Sequence, residues 1–438
     1  MSRVLISFLG TGRIKKNASS REYEPTKYRI GDKDYNCTFV SIALRKHFNI
    51  DKLILIGTTH SMWEEVYRVY TDKDDEIWTE IGDKCDKNKY DSELLIPHQD
   101  KIEKSMGNGS KVVLVKYGIN IEEIKQNSEI ILGLEKVLSR GDELFVDITH
   151  SFRSLPLYIM NLLVYLRDVS LKQIKISGIY YGMLEASREM NFTPVIDLSE
   201  VMNINSWISG AYSFMEFGNA YKIATLIENS EIESPKAFSN PLKNFTDSKN
   251  LNHLAEMENQ VGKLQVLRKT DNLPSIARMV IDPVIGDFLN TVKIGTGKFK
   301  HSDFQYQLSI WQKNNHNYAA AYISLHEAIL TRACELVDFD SSNYNDRENM
   351  KVAFRWARGK HESEAAKTKL KDLALYEYLQ EYQNSLKSYA VLYKNVGVNR
   401  NAIAHCLKDQ NGRITNTVSA MIQKLKQFIG EYKNNFLC

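Results

Sequence analysis

Apolar positions follow two regimes along the chain. Up to about residue 200, short runs rich in Val, Ile, Leu, Phe and Tyr alternate with segments of helical periodicity, the pattern of an α/β sheet that is mostly parallel. Strands are predicted at Val4–Leu9, Leu53–Ile56, Val112–Val115, Leu144–Ile148 and Ile174–Tyr181, with helices near 37–49, 60–70, 121–138 and 154–169. Segment 26–36, turned at Gly31-Asp32, reads as a hairpin inserted before the first helix. After Pro194 strand signals almost vanish. Trp207, Ala211, Phe214, Gly218, Tyr221 and Leu226 then fall at spacings compatible with one helical face. The polar, proline-bearing stretch Glu231–Asn252 and the segment Lys293–Lys300 read as loops around a helical connector. Helical patterns at about 317–337, 348–358, 364–395 and 415–434 suggest a compact bundle. The expected organisation is a doubly wound α/β domain over 1–200, a helical connector over 201–310 and a helical domain over 311–438.

Composition narrows the class. With 438 residues, 25% charged, 43% hydrophobic and only 8 prolines, the chain is neither disordered nor collagen-like. Lys+Arg 57 against Asp+Glu 54 leaves +3, so a polyanion has to be held by a local patch rather than by the whole field. Cys37, Cys85, Cys334, Cys406 and Cys438 are scattered and never spaced C-x-x-C, which argues against a disulfide framework or a structural zinc site and for a reducing cytoplasm. Val4–Leu9 is followed by Gly-Thr-Gly and basic residues without a cleavage pattern, so it reads as a strand and not a signal peptide. The longest apolar stretch, Leu155–Leu166, contains Pro156 and Asn161 and is shorter than the roughly 20 residues a bilayer crossing needs. No membrane partner is expected.

Candidate chemistry lies first at strand ends, where open α/β sheets hold ligands. Four loops lead there: Gly10-Thr11-Gly12-Arg13, Gly57-Thr58-Thr59-His60, Asp147-Ile-Thr149-His150-Ser151-Phe-Arg153 and Tyr180-Tyr181-Gly182. Glycine lets backbone approach a phosphate or ribose, and Thr and Ser hydroxyls beside helix N-termini offer donors to an anion. Gly10 and Gly12 lack the third glycine of a dinucleotide fingerprint and the Lys-Ser/Thr of a P-loop. The string from Asp147 to Arg153, with Ser154-Leu-Pro156 opening a helix, concentrates functional groups at the crevice. Its bland reading is a capped helix with a satisfied histidine, a reading equally open for His60, while Tyr180 and Tyr181 fit a core or crevice wall.

Asp147-Ile-Thr-His-Ser-Phe-Arg-Ser-Leu-Pro156, Tyr180-Tyr-Gly182 and Phe8-Leu-Gly-Thr-Gly12 together resemble the CARF (CRISPR-associated Rossmann fold) domain. The resemblance implies a Rossmann-like, dimeric sensor of cyclic oligoadenylate. Carried over by position, Gly10, Thr11, Gly12, Thr58, Thr149, His150, Ser151 and Arg153 are its expected ligand contacts.

A second string, Asn399-Arg400-Asn401-Ala-Ile-Ala-His405, puts an arginine five residues before a histidine. On a helix Asn401 shares a face with His405, and the long Arg400 side chain can reach the same place. Cutting RNA without metal requires activating the ribose 2′-hydroxyl, protonating the leaving 5′-oxygen and neutralising charge on the phosphorane. Histidine titrates near neutrality, and arginine is a permanent bidentate phosphate ligand. One such histidine per chain is insufficient for both proton transfers, and a symmetric dimer supplies two. The string, with Tyr318-Ala-Ala-Ala-Tyr-Ile-Ser-Leu-His-Glu327 earlier, resembles the R-x4-6-H signature and first helix of HEPN ribonucleases. That implies Arg400 and His405 as catalytic and Asn401 as a positioning residue, acting on single-stranded RNA. His326 and His361 read as structural or exposed. Residues 301–438 hold eighteen Lys+Arg against fourteen Asp+Glu, a modest positive bias compatible with RNA.

The two resemblances together imply a type III CRISPR accessory endoribonuclease, a homodimer or higher oligomer. It would be activated allosterically by cyclic oligoadenylate and require no metal or other cofactor. The rival is a nucleotide-sensing regulator that binds DNA through its helical half, in which the Arg400–His405 string has no role. A third reading, compatible with the first, has the sensor domain cutting its own ligand near Thr149 or His150.

Overall fold

The computed structural model describes all residues except 12, 15–20, 23–24, 72–73, 88–91, 151–153, 268–272, 295–296, 360–367, 369, 371–372, 406–416 and 438. It divides into two units, Met1–Asn205 and Ser206–Cys438.

Alternation along strands buried on both sides assigns each side chain of the first unit to one of two cores. Leu5, Leu53, Leu55, Val112 and Phe145 enter one core, and Val4, Ile6, Phe8, Ile54, Ile56, Leu144 and Val146 the other. The strands are β1 (Arg3–Phe8), β2 (Arg13–Ile14), β3 (Arg21–Glu22), β4 (Thr26–Ile30), β5 (Lys33–Cys37), β6 (Lys52–Gly57), β7 (Lys111–Leu114), β8 (Glu143–Asp147), β9 (Lys175–Gly182) and β10 (Thr193–Asp197). Eight of them form one sheet in the order β5-β4-β10-β9-β8-β1-β6-β7, while β2 and β3 pair separately. Only β4–β5 and β9–β10 are antiparallel in the large sheet, as the expected mostly parallel α/β domain requires. Helices Val40–Phe48, Trp63–Tyr70, Asp75–Asp86 and Ser92–Met106 cover the first core, and Ile121–Gly133 and Leu155–Asp168 the second. The chain runs outward from β1 to β6 and β7, then returns to β8 on the other side of β1. The switch point therefore lies at the carboxyl ends of β1 and β8.

Several elements differ from the sequence expectation here. β10 contains Pro194, which disfavours a strand reading because it donates no ladder bond. The strand nevertheless seats beside β4 and β9, and the Pro194 carbonyl accepts the Met183 N–H at 2.9 Å. Helices Asp75–Asp86 and Ser92–Met106 had no sequence counterpart.

The second unit is helical. The loop expected over Glu231–Asn252 is instead mostly a helix, Pro235–Asn250, with Pro241 inside it. Its Phe238, Leu242 and Phe245 enter a core with Trp207, Phe214, Phe288 and Trp311, where the Phe288 ring lies 5.0 Å from Phe245 and 4.8 Å from Trp311. That aromatic burial offsets the hydrogen bond the proline removes. Helix Lys300–Asn314 serves two cores: Phe304, Leu308 and Trp311 face this one, and Tyr306 faces a second. The second core is built by helices Tyr318–Leu336, Tyr344–Ala357, Leu373–Glu381, Gln383–His405 and Val418–Phe436. These match the expected helical patterns, apart from the parts of 364–395 and 415–434 that lie outside the described residues. Among the described residues no helix is long and apolar enough to cross a membrane.

Candidate functional site

Strands β9, β8, β1 and β6 are parallel neighbours, so their four carboxyl-end loops come together on one edge of the sheet. Hydrogen bonds stitch the loops in pairs. Ser61 Oγ accepts the Thr58 N–H at 2.9 Å and donates to the Leu9 carbonyl at 2.8 Å, while the Met62 N–H donates to the Gly10 carbonyl at 3.1 Å. Gly57 allows this closure, since a Cβ there would lie 2.8 Å from Trp63 Cζ2 and 2.9 Å from Ser61 Oγ. On the other side the Gly182 N–H donates to Thr149 Oγ1 at 2.8 Å and the Ile148 N–H to the Tyr180 carbonyl at 3.0 Å. Beneath the switch point, Ser7 Oγ donates to the fully buried Asp147 carboxyl, which also accepts the Thr149 N–H at 2.9 Å.

This places the expected contacts unequally. Gly10, Thr11, Thr149 and His150 are half-buried at the crevice, whereas Thr58 is buried at 1% exposure, locked into its own turn. Gly12, Ser151 and Arg153 lie outside the described residues. Burial raises the Asp147 pKa and lowers that of His150, each opposed in part by the other's charge, so an imidazole poised neutral sits beside the crevice. His60 Nδ1–H donates to the Cys85 carbonyl at 2.7 Å, the satisfied histidine of the bland reading. Tyr180 is a core residue packed 4.9 Å from Phe48, and Tyr181 donates its hydroxyl to Glu185 at 3.0 Å. Ser7, Ser61 and Asp147 hold the crevice together; none was among the expected ligand contacts, although Asp147 opened the string singled out in the sequence.

In the second unit one continuous helix, Gln383–His405, carries Arg400, Asn401 and, as its last residue, His405, of whose side chain nothing is described. Tyr389, Tyr393, Val396 and Arg400 follow one another at helical spacing, so Arg400 ends a buried stripe and is itself half-buried. Its Nε and Nη2 donate to Asn401 Oδ1 at 3.3 and 3.1 Å. Helix Tyr318–Leu336 contributes His326 and Glu327. The His326 ring is 5% exposed and stacks on Tyr393 at 3.9 Å, over Gly397, where a Cβ would meet its Nε2 at 2.9 Å. Glu327 lies 3.7 Å from His326 Nδ1 and pairs with Arg347. Burial holds the His326 pKa down, with the Arg400 charge adding to it and Glu327 opposing. For Glu327 burial pushes up, but His326, Arg347 and Arg400 outweigh it and the carboxylate stays below its usual range. Asn399 donates Nδ2–H to the Asn395 carbonyl at 2.8 Å and keeps a buried Oδ1 without a hydrogen-bond donor among the described residues. The Arg400 charge thus acts on His326 and Glu327, with Arg347 paired to Glu327 and the buried Asn399 preceding Arg400 on the helix. Of His326, Glu327, Arg347 and Asn399, only His326 was weighed from sequence, as structural or exposed, and it is buried; His361 lies outside the described residues.

Residues 4–185 match the family described as CRISPR system endoribonuclease Csx1, CARF domain, and residues 203–298 match CRISPR-associated protein MJ1674, second domain. The chain is 34% identical over 371 residues to CRISPR-associated protein MJ1674 of Methanocaldococcus jannaschii, covering 80% of this chain and 57% of that protein. The chain therefore spans little more than half the length of that relative. Among solved structures, Enterococcus italicus Csm6 bound to cyclic hexa-2′-fluoro-hexa-dAMP aligns with TM-score 0.38 and 12% identity over 99% of this chain and 95% of that one. The Rossmann-like sheet, the loops at its switch point and the match over residues 4–185 agree: this part of the chain is similar to the CARF domain of CRISPR-associated proteins.

Proposed function

We propose that the protein is a cytoplasmic, cyclic-oligoadenylate-activated endoribonuclease of type III CRISPR defence, cutting single-stranded RNA without metal at a composite site formed by two chains. The domains are read as a CARF sensor over 1–200, a connector over 201–310 and a HEPN ribonuclease over 311–438. The observation that carries the reading is the helix Gln383–His405, which holds Arg400 and His405 on one rigid element with Asn401 orienting the guanidinium. In this mechanism one His405 imidazole takes the proton of the ribose 2′-hydroxyl, whose oxygen attacks phosphorus. The P–O5′ bond breaks, the partner's His405 gives its proton to the departing oxygen, and Arg400 from each chain neutralises the phosphorane. The products are a 2′,3′-cyclic phosphate and a 5′-hydroxyl.

In the first unit, Gly10, Thr11, Gly12, Thr149, His150, Ser151 and Arg153 would contact the cyclic activator, while Thr58, expected as a contact but buried in its own turn, would shape the loop beside it. The activator can favour the cutting state only by binding it more tightly than the resting one. Slow cutting of the activator itself beside Thr149 and His150 is a compatible second activity, tested by incubating labelled activator and looking for linear products. RNA cleavage in EDTA, with and without each cyclic oligoadenylate, tests the main reading. Activation by one ring size, cleavage undiminished by EDTA and a loss of about 10² or more in His405→Ala are expected. Stimulated cleavage that survives His405→Ala sinks it.

A further inference from the structure

Within the second unit, helices Leu254–Leu267, Lys300–Asn314 and Tyr318–Leu336 and the loop 338–342 line an open cleft of about 1470 Å³. Compact small-molecule sites measure roughly 300–1,000 Å³, so this one has room for an extended ligand. Charge in the lining is unbalanced. Glu258, Glu327, Glu335, Asp338 and Asp340 stand against Lys298, Lys300 and Arg347. Glu258 meets His301 Nδ1 at 2.9 Å, Asp338 meets Lys298 Nζ at 2.6 Å, and Glu327 pairs with Arg347. Among the described residues no Lys, Arg or His pairs with the two that remain, Glu335 and Asp340.

Glu335 is only 6% exposed. One carboxylate oxygen, Oε1, accepts the His301 and Ser302 N–H groups at 3.1 and 3.3 Å, where helix Lys300–Asn314 begins. The other, Oε2, has no donor among the described residues, and burial pushes the Glu335 pKa up. Gln305 Oε1 and Asn252 Oδ1, on residues of the same cleft, are buried acceptors without a donor as well. A buried acceptor left unmet costs about 1–3 kcal/mol, more when charged, so the lining favours an occupant rich in donors and positive charge. A metal ion needs several ligands converging on one point, and among the described residues no three His, Cys, Asp or Glu side chains do so. The charge therefore has to be spread along the occupant. RNA phosphates would meet the surplus carboxylates and be repelled. An ammonium group carries three donors and no acceptor, which matches the unmet oxygens. Ile294, Ile323 and Phe339 add apolar lining suited to the methylene segments between such groups.

We propose that this cleft binds an aliphatic polyamine, with ammonium groups beside Glu335 and Asp340 and methylene segments against Ile323 and Phe339.

The test titrates spermidine into the full chain by calorimetry at low ionic strength, with a thermal melt of every variant. A single saturable event per chain is expected. Glu335→Gln keeps an oxygen for the two backbone donors and removes the charge, and should weaken binding about tenfold or more. Gly262→Phe blocks the cleft instead. A Cβ at Gly262 meets nothing within 4 Å, so the ring enters open space from helix Leu254–Leu267; binding should be lost with the melting temperature not lowered. Glu122→Gln, exposed in the first unit, should leave binding unchanged. Absence of saturable binding overturns the proposal, as does binding that survives both cleft variants. Displacement of spermidine by an equal concentration of Mg²⁺ overturns it too, as does AMP binding that Gly262→Phe abolishes while spermidine does not bind.

Discussion

Gly397→Ala isolates the geometry around Arg400 with a single methyl group. In a helix interior the change by itself is favourable by about 1 kcal/mol. Against it, the new Cβ would lie 2.9 Å from His326 Nε2 and 3.4 Å from its Cδ2. The imidazole cannot swing clear, because it is 5% exposed and stacked on Tyr393 at 3.9 Å. Overpacking of this kind costs about 1–3 kcal/mol, so the clash wins and the expected net is a loss of about 1 kcal/mol. For a unit of this size that lowers the melting temperature by about 2–4 °C. On the proposed reading, activator-stimulated RNA cleavage should fall further than stability does, since Arg400 lies three residues along the same helix and its charge acts on His326. Thermal melts of wild type, Gly397→Ala, His326→Ala and the double variant form the assay. In the His326→Ala background the Gly397→Ala change should stabilise, reversing the sign of its effect. A Gly397→Ala protein that melts higher than wild type and cuts RNA normally would refute the packing described here.

Asp147→Asn tests the buried carboxyl beneath the ligand crevice. Burial raises its pKa, so the fold favours the neutral acid; that stabilisation is complete below about pH 3.9 and is lost as pH rises through the folded value. Asparagine fixes the neutral form, and the variant should be at least as stable as wild type at pH 7 with a flatter pH dependence, measured by denaturant titration across pH 4–8. Gly57→Ala forces a Cβ into Trp63 and Ser61 and should lower stability by about 1–3 kcal/mol and weaken cyclic oligoadenylate binding in calorimetry. Arg400→Gln removes a positive charge that helps hold the His326 pKa down, so the His326 titration followed by NMR should move upward.

How far the fold could be read depended on whether neighbouring residues in sequence carried the signal. β1, β6 and β8 are apolar on both faces and showed directly as runs. The helix Pro235–Asn250 did not, because Phe238, Leu242 and Phe245 are separated by Ser, Asn, Pro and Lys, and its stability comes from Phe288 and Trp311 far along the chain. The same distinction governs the sites. Glycines and hydroxyls at strand ends, and an arginine and histidine on one helix, are local patterns. Ser7 with Asp147, Ser61 with Leu9, and Glu327 with Arg347 join distant segments, and no spacing rule reaches across elements.

The surroundings of Arg400 also bear on how many chains the proposed reaction needs. Two proton transfers need two titrating groups, and His326 is the imidazole these surroundings place next to the motif. It is a poor proton carrier, being 5% exposed, stacked on Tyr393 and held below its ordinary pKa by burial and by the Arg400 charge. An imidazole buried against Gly397 and Tyr393 of the motif helix is screened from a substrate that must approach from solvent. On the proposed reading the second group is then the partner's His405. Specific activity should fall as the protein is diluted through its dimer dissociation constant, whereas a site complete within one chain would keep its activity per chain constant.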